Sequence, residues 1–82
     1  MGEIREKLIV EQLASVVKAR RKTLGMTQEE LAHALNIDRT YASQIERAIA
    51  NPSLSVLCSL ATDLDLTFVQ LVGEAEVKTS DS

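Results

Sequence analysis

The chain has 82 residues, enough for one small domain and too few for two. It is 45% apolar, with one Tyr, one Phe and no Trp, which points to a modest, aliphatic interior. A formal net charge of −3 gives no overall attraction to nucleic acid, so any such surface must come from local arrangement.

The lone Cys58 excludes an internal disulfide, and a single His excludes a metal site built from the usual Cys and His ligands. No nucleophile with a His partner, paired-carboxylate site or Gly-rich phosphate loop occurs, so no catalytic residue, metal or cofactor is expected. Runs of about 18 apolar residues and a secretory signal pattern are also missing. A soluble, cytoplasmic protein with no membrane partner is expected.

In chain order, Ile9, Leu13, Val16, Val17 and Leu24 recur at helical spacing and predict a first helix over about residues 5–23, stopping before Gly25. Ile4 and Leu8 fall off that stripe. Thr27-Gln28-Glu29-Glu30 has the pattern of a capping box and opens a short second helix with Leu31, Ala32 and Leu35 inward. Asn36 tolerates the left-handed backbone of a tight turn, and Asp38 caps a third helix. Asn51-Pro52-Ser53 forms a loop, with Ser53 capping a fourth helix over about residues 54–64. Cys58 is expected to be a buried thiol among Val56, Leu57, Leu60 and Leu64. Thr67 caps a last short helix bearing Phe68, Val69, Leu71 and Val72, and an acidic tail follows Gly73. No segment alternates with period two, so the fold class is all-α, with five helices. The expected divisions are residues 1–11 as an extension of the first helix, 12–73 as the domain, and 74–82 as the tail.

Charge is unevenly spread. Residues 18–47 carry six basic groups against four acidic ones, whereas residues 48–82 carry five acids and only Lys78. On a helical wheel at about 100° per residue, Arg39, Ser43, Arg47, Thr40 and Gln44 span one arc of about 140°. None of the five is acidic, and Ala42, Ile45 and Ile49 lie on the opposite side. Solvated helix faces commonly mix Glu with Lys; this arc can approach an anion without repulsion.

Residues 16–72 resemble the phage repressor and Cro-type (XRE) helix-turn-helix family. The matching pieces are Arg21-x-x-x-Gly25-Met26-Thr27-Gln28-Glu29-Glu30-Leu31-Ala32, then Asp38-Arg39-Thr40-Tyr41-x-Ser43-x-Ile45-Glu46-Arg47, then Asn51-Pro52-Ser53-Leu54. Within that family the last two pieces are most similar to the controller proteins of restriction-modification systems. The resemblance implies a five-helix bundle of the lambda-repressor-like DNA-binding type, with the helix-turn-helix formed by helices 2 and 3. It also implies a homodimer acting on a palindromic operator of double-stranded DNA. Arg39, Thr40, Ser43 and Gln44 would then read bases, and Gln28, Tyr41, Arg47 and Lys22 would meet phosphate. For Tyr41, a half-buried ring is an equal alternative. Arg21 and Glu46 would form a structural ion pair, with direct DNA contact the alternative for Arg21, and Arg20 is expected to be solvated. The family usually has Gly where Ala48 stands, which implies a third helix running through Ile49. Phe68, Val69 and Val72 would supply the dimer interface, and Glu29 is a candidate contact to RNA polymerase. Two other readings remain open: a prophage-type or other local repressor, and a protein-interaction module of the antitoxin or coactivator kind.

Overall fold

Each of the four described helices ends in the same backbone device, and that device sets the directions of the chain. A computed structural model describes residues 2–67 and Leu71, with side chains from Glu6 onward. The helices are α1 (Gly2–Thr23), α2 (Gln28–Leu35), α3 (Arg39–Glu46) and α4 (Leu54–Asp63), and there is no strand among the described residues. After each helix one residue turns left-handed: Gly25 (φ 71°), Asn36 (φ 57°), Ala48 (φ 60°) and Asp65 (φ 56°). The next amide then reaches back five residues, from Met26 to Arg21, Ile37 to Ala32, Ile49 to Gln44 and Leu66 to Ala61, at 3.0, 3.0, 2.9 and 2.7 Å. This is the Schellman motif, which satisfies carbonyls that a helix end leaves without partners.

Two boundaries differ from the sequence-based expectation. The third helix stops at Glu46 and does not continue to Ile49. Ala48 adopts the left-handed turn that glycine would take, at a strain of about 1–2 kcal/mol. Two backbone hydrogen bonds of the motif offset that strain, Ala48 N to the Ile45 carbonyl at 3.2 Å and Ile49 N to the Gln44 carbonyl at 2.9 Å. The first helix begins at Gly2, three residues earlier than its apolar stripe indicates.

N-terminal caps fix the other ends. Thr27 and Glu30 form a reciprocal capping box, with Glu30 N donating to Thr27 Oγ1 at 3.0 Å and Thr27 N donating to Glu30 Oε1 at 2.8 Å. Asp38 accepts from the amide of Tyr41 at 2.8 Å, and Ser53 from that of Val56 at 3.3 Å. With both ends specified, the turn between α2 and α3 has little freedom, and α3 is delivered in one orientation across α2.

The core gathers Leu13 and Val17 of α1, Leu31 and Leu35 of α2, and Leu60, Ala61 and Leu64 of the α4 end, together with Leu71. Ala42 and Ile45 anchor α3, both almost fully buried. Ile37 packs against the core from the turn beneath α3.

Three side chains depart from expectation. Cys58 is exposed, because the buried stripe of α4 runs through Leu57, Leu60, Ala61 and Leu64 and leaves position 58 outside it. Leu24 is exposed at the point where the chain turns away from α1. Arg20 is not simply solvated: it is partly buried, and its Nε donates to the carbonyl of Leu64 at 2.9 Å, capping the end of α4. Leu71 is buried and helical, its amide 3.0 Å from the Thr67 carbonyl. The remainder of the expected fifth helix, including Phe68, Val69 and Val72, and the tail lie outside the described residues. Four helices are counted among those described. None of them is long and apolar enough to cross a membrane.

Candidate nucleic-acid interface

The site begins with a buried carboxylate. Glu46, on the last turn of α3, has a side chain only 1% exposed. Arg21 meets it with two nitrogens, Nε at 2.6 Å from Oε2 and one terminal nitrogen at 3.1 Å from Oε1. The other terminal nitrogen of Arg21 donates to the carbonyl of Met26 at 2.8 Å. Gln28 Nε2 completes the shell, 3.2 Å from Glu46 Oε1. A carboxylate only accepts, so the amide nitrogen of Gln28 must face it. One ionised group thus joins α1, α2 and α3, and no buried side-chain nitrogen or oxygen is left without a partner among the described residues.

This clamp fixes which face of α3 points outward. Ala42, Ile45 and Glu46 face in, while Arg39, Thr40, Ser43, Gln44 and Arg47 line one open cleft of about 360 Å³ together with Gln28 and Ile49. Two guanidinium groups and four neutral hydrogen-bonding side chains therefore share a surface with no carboxylate among its described lining residues. Arg39, at the first turn of α3, is 66% exposed, and the carboxylate of Glu29 lies 3.7 Å from its guanidinium. Such an exposed pair is weak and leaves Arg39 free to exchange partners.

Most of the residues expected to contact DNA are brought together here, but not all. Tyr41 is half-buried and outside the cleft lining, and Lys22 is exposed on the last turn of α1, also outside it. Gln28 also holds Glu46, a contact that its position at a helix start does not reveal. Sequence reasoning also misses Asn51, whose side-chain amide donates to Glu6 Oε1 at 2.9 Å and ties the loop after α3 to the start of α1. No local sequence signal marks a contact between residues so far apart. Among the described residues, no three His, Cys, Asp or Glu side chains gather as a metal ion would require.

Residues 17–71, two-thirds of the chain, match the helix-turn-helix family HTH_3. The chain belongs to the XRE-type helix-turn-helix family. It is 34% identical over 70 residues to the control protein C.SmaI of Serratia marcescens, covering 85% of this chain and 83% of that one. It is 43% identical over 58 residues to the immunity repressor protein of Bacillus phage phi105, but spans only 40% of that protein's length. Among solved structures it is similar to the restriction-modification controller protein C.Esp1396I, with a TM-score of 0.72 and 33% identity over 85% of this chain and 95% of that chain. This XRE-type chain is thus related to controller proteins over nearly their whole length and to the phage repressor over one part of it.

Proposed function

We propose that the chain is a sequence-specific DNA-binding regulator of transcription that acts as a homodimer on a palindromic operator. The observation that carries this reading is the carboxylate-free cleft lined by Arg39, Thr40, Ser43, Gln44 and Arg47 of the α3 region, backed by Gln28. α3 enters the major groove, where a guanidinium can pair with the O6 and N7 of guanine and amide or hydroxyl groups can meet neighbouring base edges. Arg39 reads guanine, Thr40, Ser43 and Gln44 read adjacent positions, and Gln28 and Arg47 hold phosphate. One such helix covers few base pairs. A two-fold dimer doubles the site, with half-sites about 34 Å or a multiple apart. Phe68, Val69 and Val72 are the proposed interface.

Similarity to C.SmaI and C.Esp1396I over 83% and 95% of their lengths supports control of a restriction-modification system, together with the regulator's own gene. The likeness to the phage phi105 repressor supports a second reading, a local phage-type repressor with the same DNA-reading face. Contact with RNA polymerase through Glu29 would compete with its pairing to Arg39.

The test is a footprint on the DNA upstream of the gene, with sedimentation of the protein alone and of the complex. Protection of two symmetric half-sites by a dimer is expected. A monomer giving no protection there, and no selected sequence elsewhere, would overturn the proposal.

A further inference from the structure

We propose that Ile49 is a specificity-determining residue that packs against the 5-methyl group of a thymine in each operator half-site. This rests on the DNA-reading function proposed above and assigns that surface an apolar component.

Four residues occupy the same place in the four helix ends, immediately after the left-handed turn: Met26, Ile37, Ile49 and Leu66. An apolar residue there ordinarily packs back onto its own helix. Met26, Ile37 and Leu66 do pack against the core, but Ile49 is 60% exposed. The motif has therefore placed a large apolar side chain on the surface, where it lines the cleft holding Arg39, Thr40, Ser43, Gln44 and Arg47 and also borders a shallower groove with Lys7 and Val10 of α1.

Its position is held firmly. The amides of Ile49 and Ala50 both donate to the carbonyl of Gln44, at 2.9 and 3.1 Å, so the backbone of Ile49 is tied to a residue of the polar arc. A β-branched side chain has few rotamers to lose when it is covered. In the major groove the polar base edges suit the arginines, Gln44 and the hydroxyls, and the one apolar feature is the thymine methyl. Among the described residues, Ile49 is the one aliphatic side chain lining the cleft that carries the arc.

The test compares thymine with deoxyuridine, which lacks only that methyl, at each thymine of an operator selected from random DNA. Wild-type protein is expected to bind about fourfold more weakly when one symmetric pair of half-site thymines is tested one at a time, the effect of removing a buried methyl-sized group. Ile49→Ala should bind thymine and deoxyuridine equally at that position and keep the wild-type response at all others. Thermal melting confirms that this exposed substitution leaves the fold intact. Equal penalties in wild type and Ile49→Ala at every thymine, or no penalty at any thymine in wild type, would overturn the inference while leaving sequence-specific binding in place. Failure to select any operator would instead overturn the DNA-reading function itself, and the inference with it.

Discussion

Arg21 of α1 and Glu46 of α3 meet through two nitrogens and two oxygens, at 2.6 and 3.1 Å, and their side chains are 12% and 1% exposed. The two members are not equivalent. Arg21 retains the Met26 carbonyl if Glu46 is lost, whereas Glu46 without Arg21 keeps only Gln28 as partner for a buried charge. Arg21→Ala is therefore expected to destabilise the fold by about 3–5 kcal/mol, and Glu46→Gln by about 1–2 kcal/mol. Denaturant unfolding of the two variants checks the order. Equal losses would contradict this inequivalence, and the absence of any loss would show that the pair is not the clamp that orients α3.

Ala48 carries left-handed backbone in a turn that makes both hydrogen bonds of its motif. Ala48→Gly should raise stability by about 1 kcal/mol, because it removes the steric strain without touching a buried contact. A lower melting temperature would contradict the assigned turn. Conversely, Ala48→Val should destabilise, since a β-branched residue fits this conformation worst.

The capping box gives a pH dependence of definite sign. The amide of Thr27, and secondarily its hydroxyl, hold the Glu30 carboxyl below its ordinary value of 4.5. A lowered carboxyl pKa means the folded state binds its proton less readily than the unfolded state does. Its contribution is thus present above about pH 4.5 and is lost as pH falls through the lower, folded-state value. Glu30→Gln should flatten the decline in stability in that acidic window relative to wild type. An unchanged profile would remove Glu30 from the account.

Gln28 holds Glu46 and also stands at the edge of the candidate DNA surface. Gln28→Ala should weaken binding to every sequence alike, by about fivefold, as expected for one hydrogen bond worth about 1 kcal/mol. A change in base preference, measured by competition between operator variants, would instead make Gln28 a reader of bases.

The local parts of this architecture are legible in the sequence because short-range rules govern them. Thr27 with Glu30, Asp38, Ser53 and the Asn36 turn each follow from residues within one helical turn of each other. The polar arc of α3 follows likewise from spacing alone, and the structure adds the cleft that unites it. What spacing does not reveal depends on tertiary context. Ala48 turns left-handed because its neighbours demand it, Cys58 faces out because Leu57, Leu60 and Leu64 already fill the stripe, and Arg20 finds a carbonyl 44 residues away. Gln28's bond to Glu46 and Asn51's bond to Glu6 are of the same kind. The exposure of Ile49 is also a tertiary fact, since the wheel of a longer third helix puts it on the inner side.

The outward arc of α3 is the proposed reader of DNA sequence, with Arg39 as its proposed principal reader. Selection from random duplex DNA at about 150 mM salt, carried out in parallel with wild type and Arg39→Ala, tests it most directly. Arg39 is exposed and makes only a loose surface pair, so its loss should change stability by less than about 0.5 kcal/mol. Wild type should enrich an inverted repeat, and Arg39→Ala should lose preference at one symmetric position of that repeat while remaining folded. Enrichment of no sequence by wild type, or of the same sequence with undiminished preference by Arg39→Ala, would contradict the account.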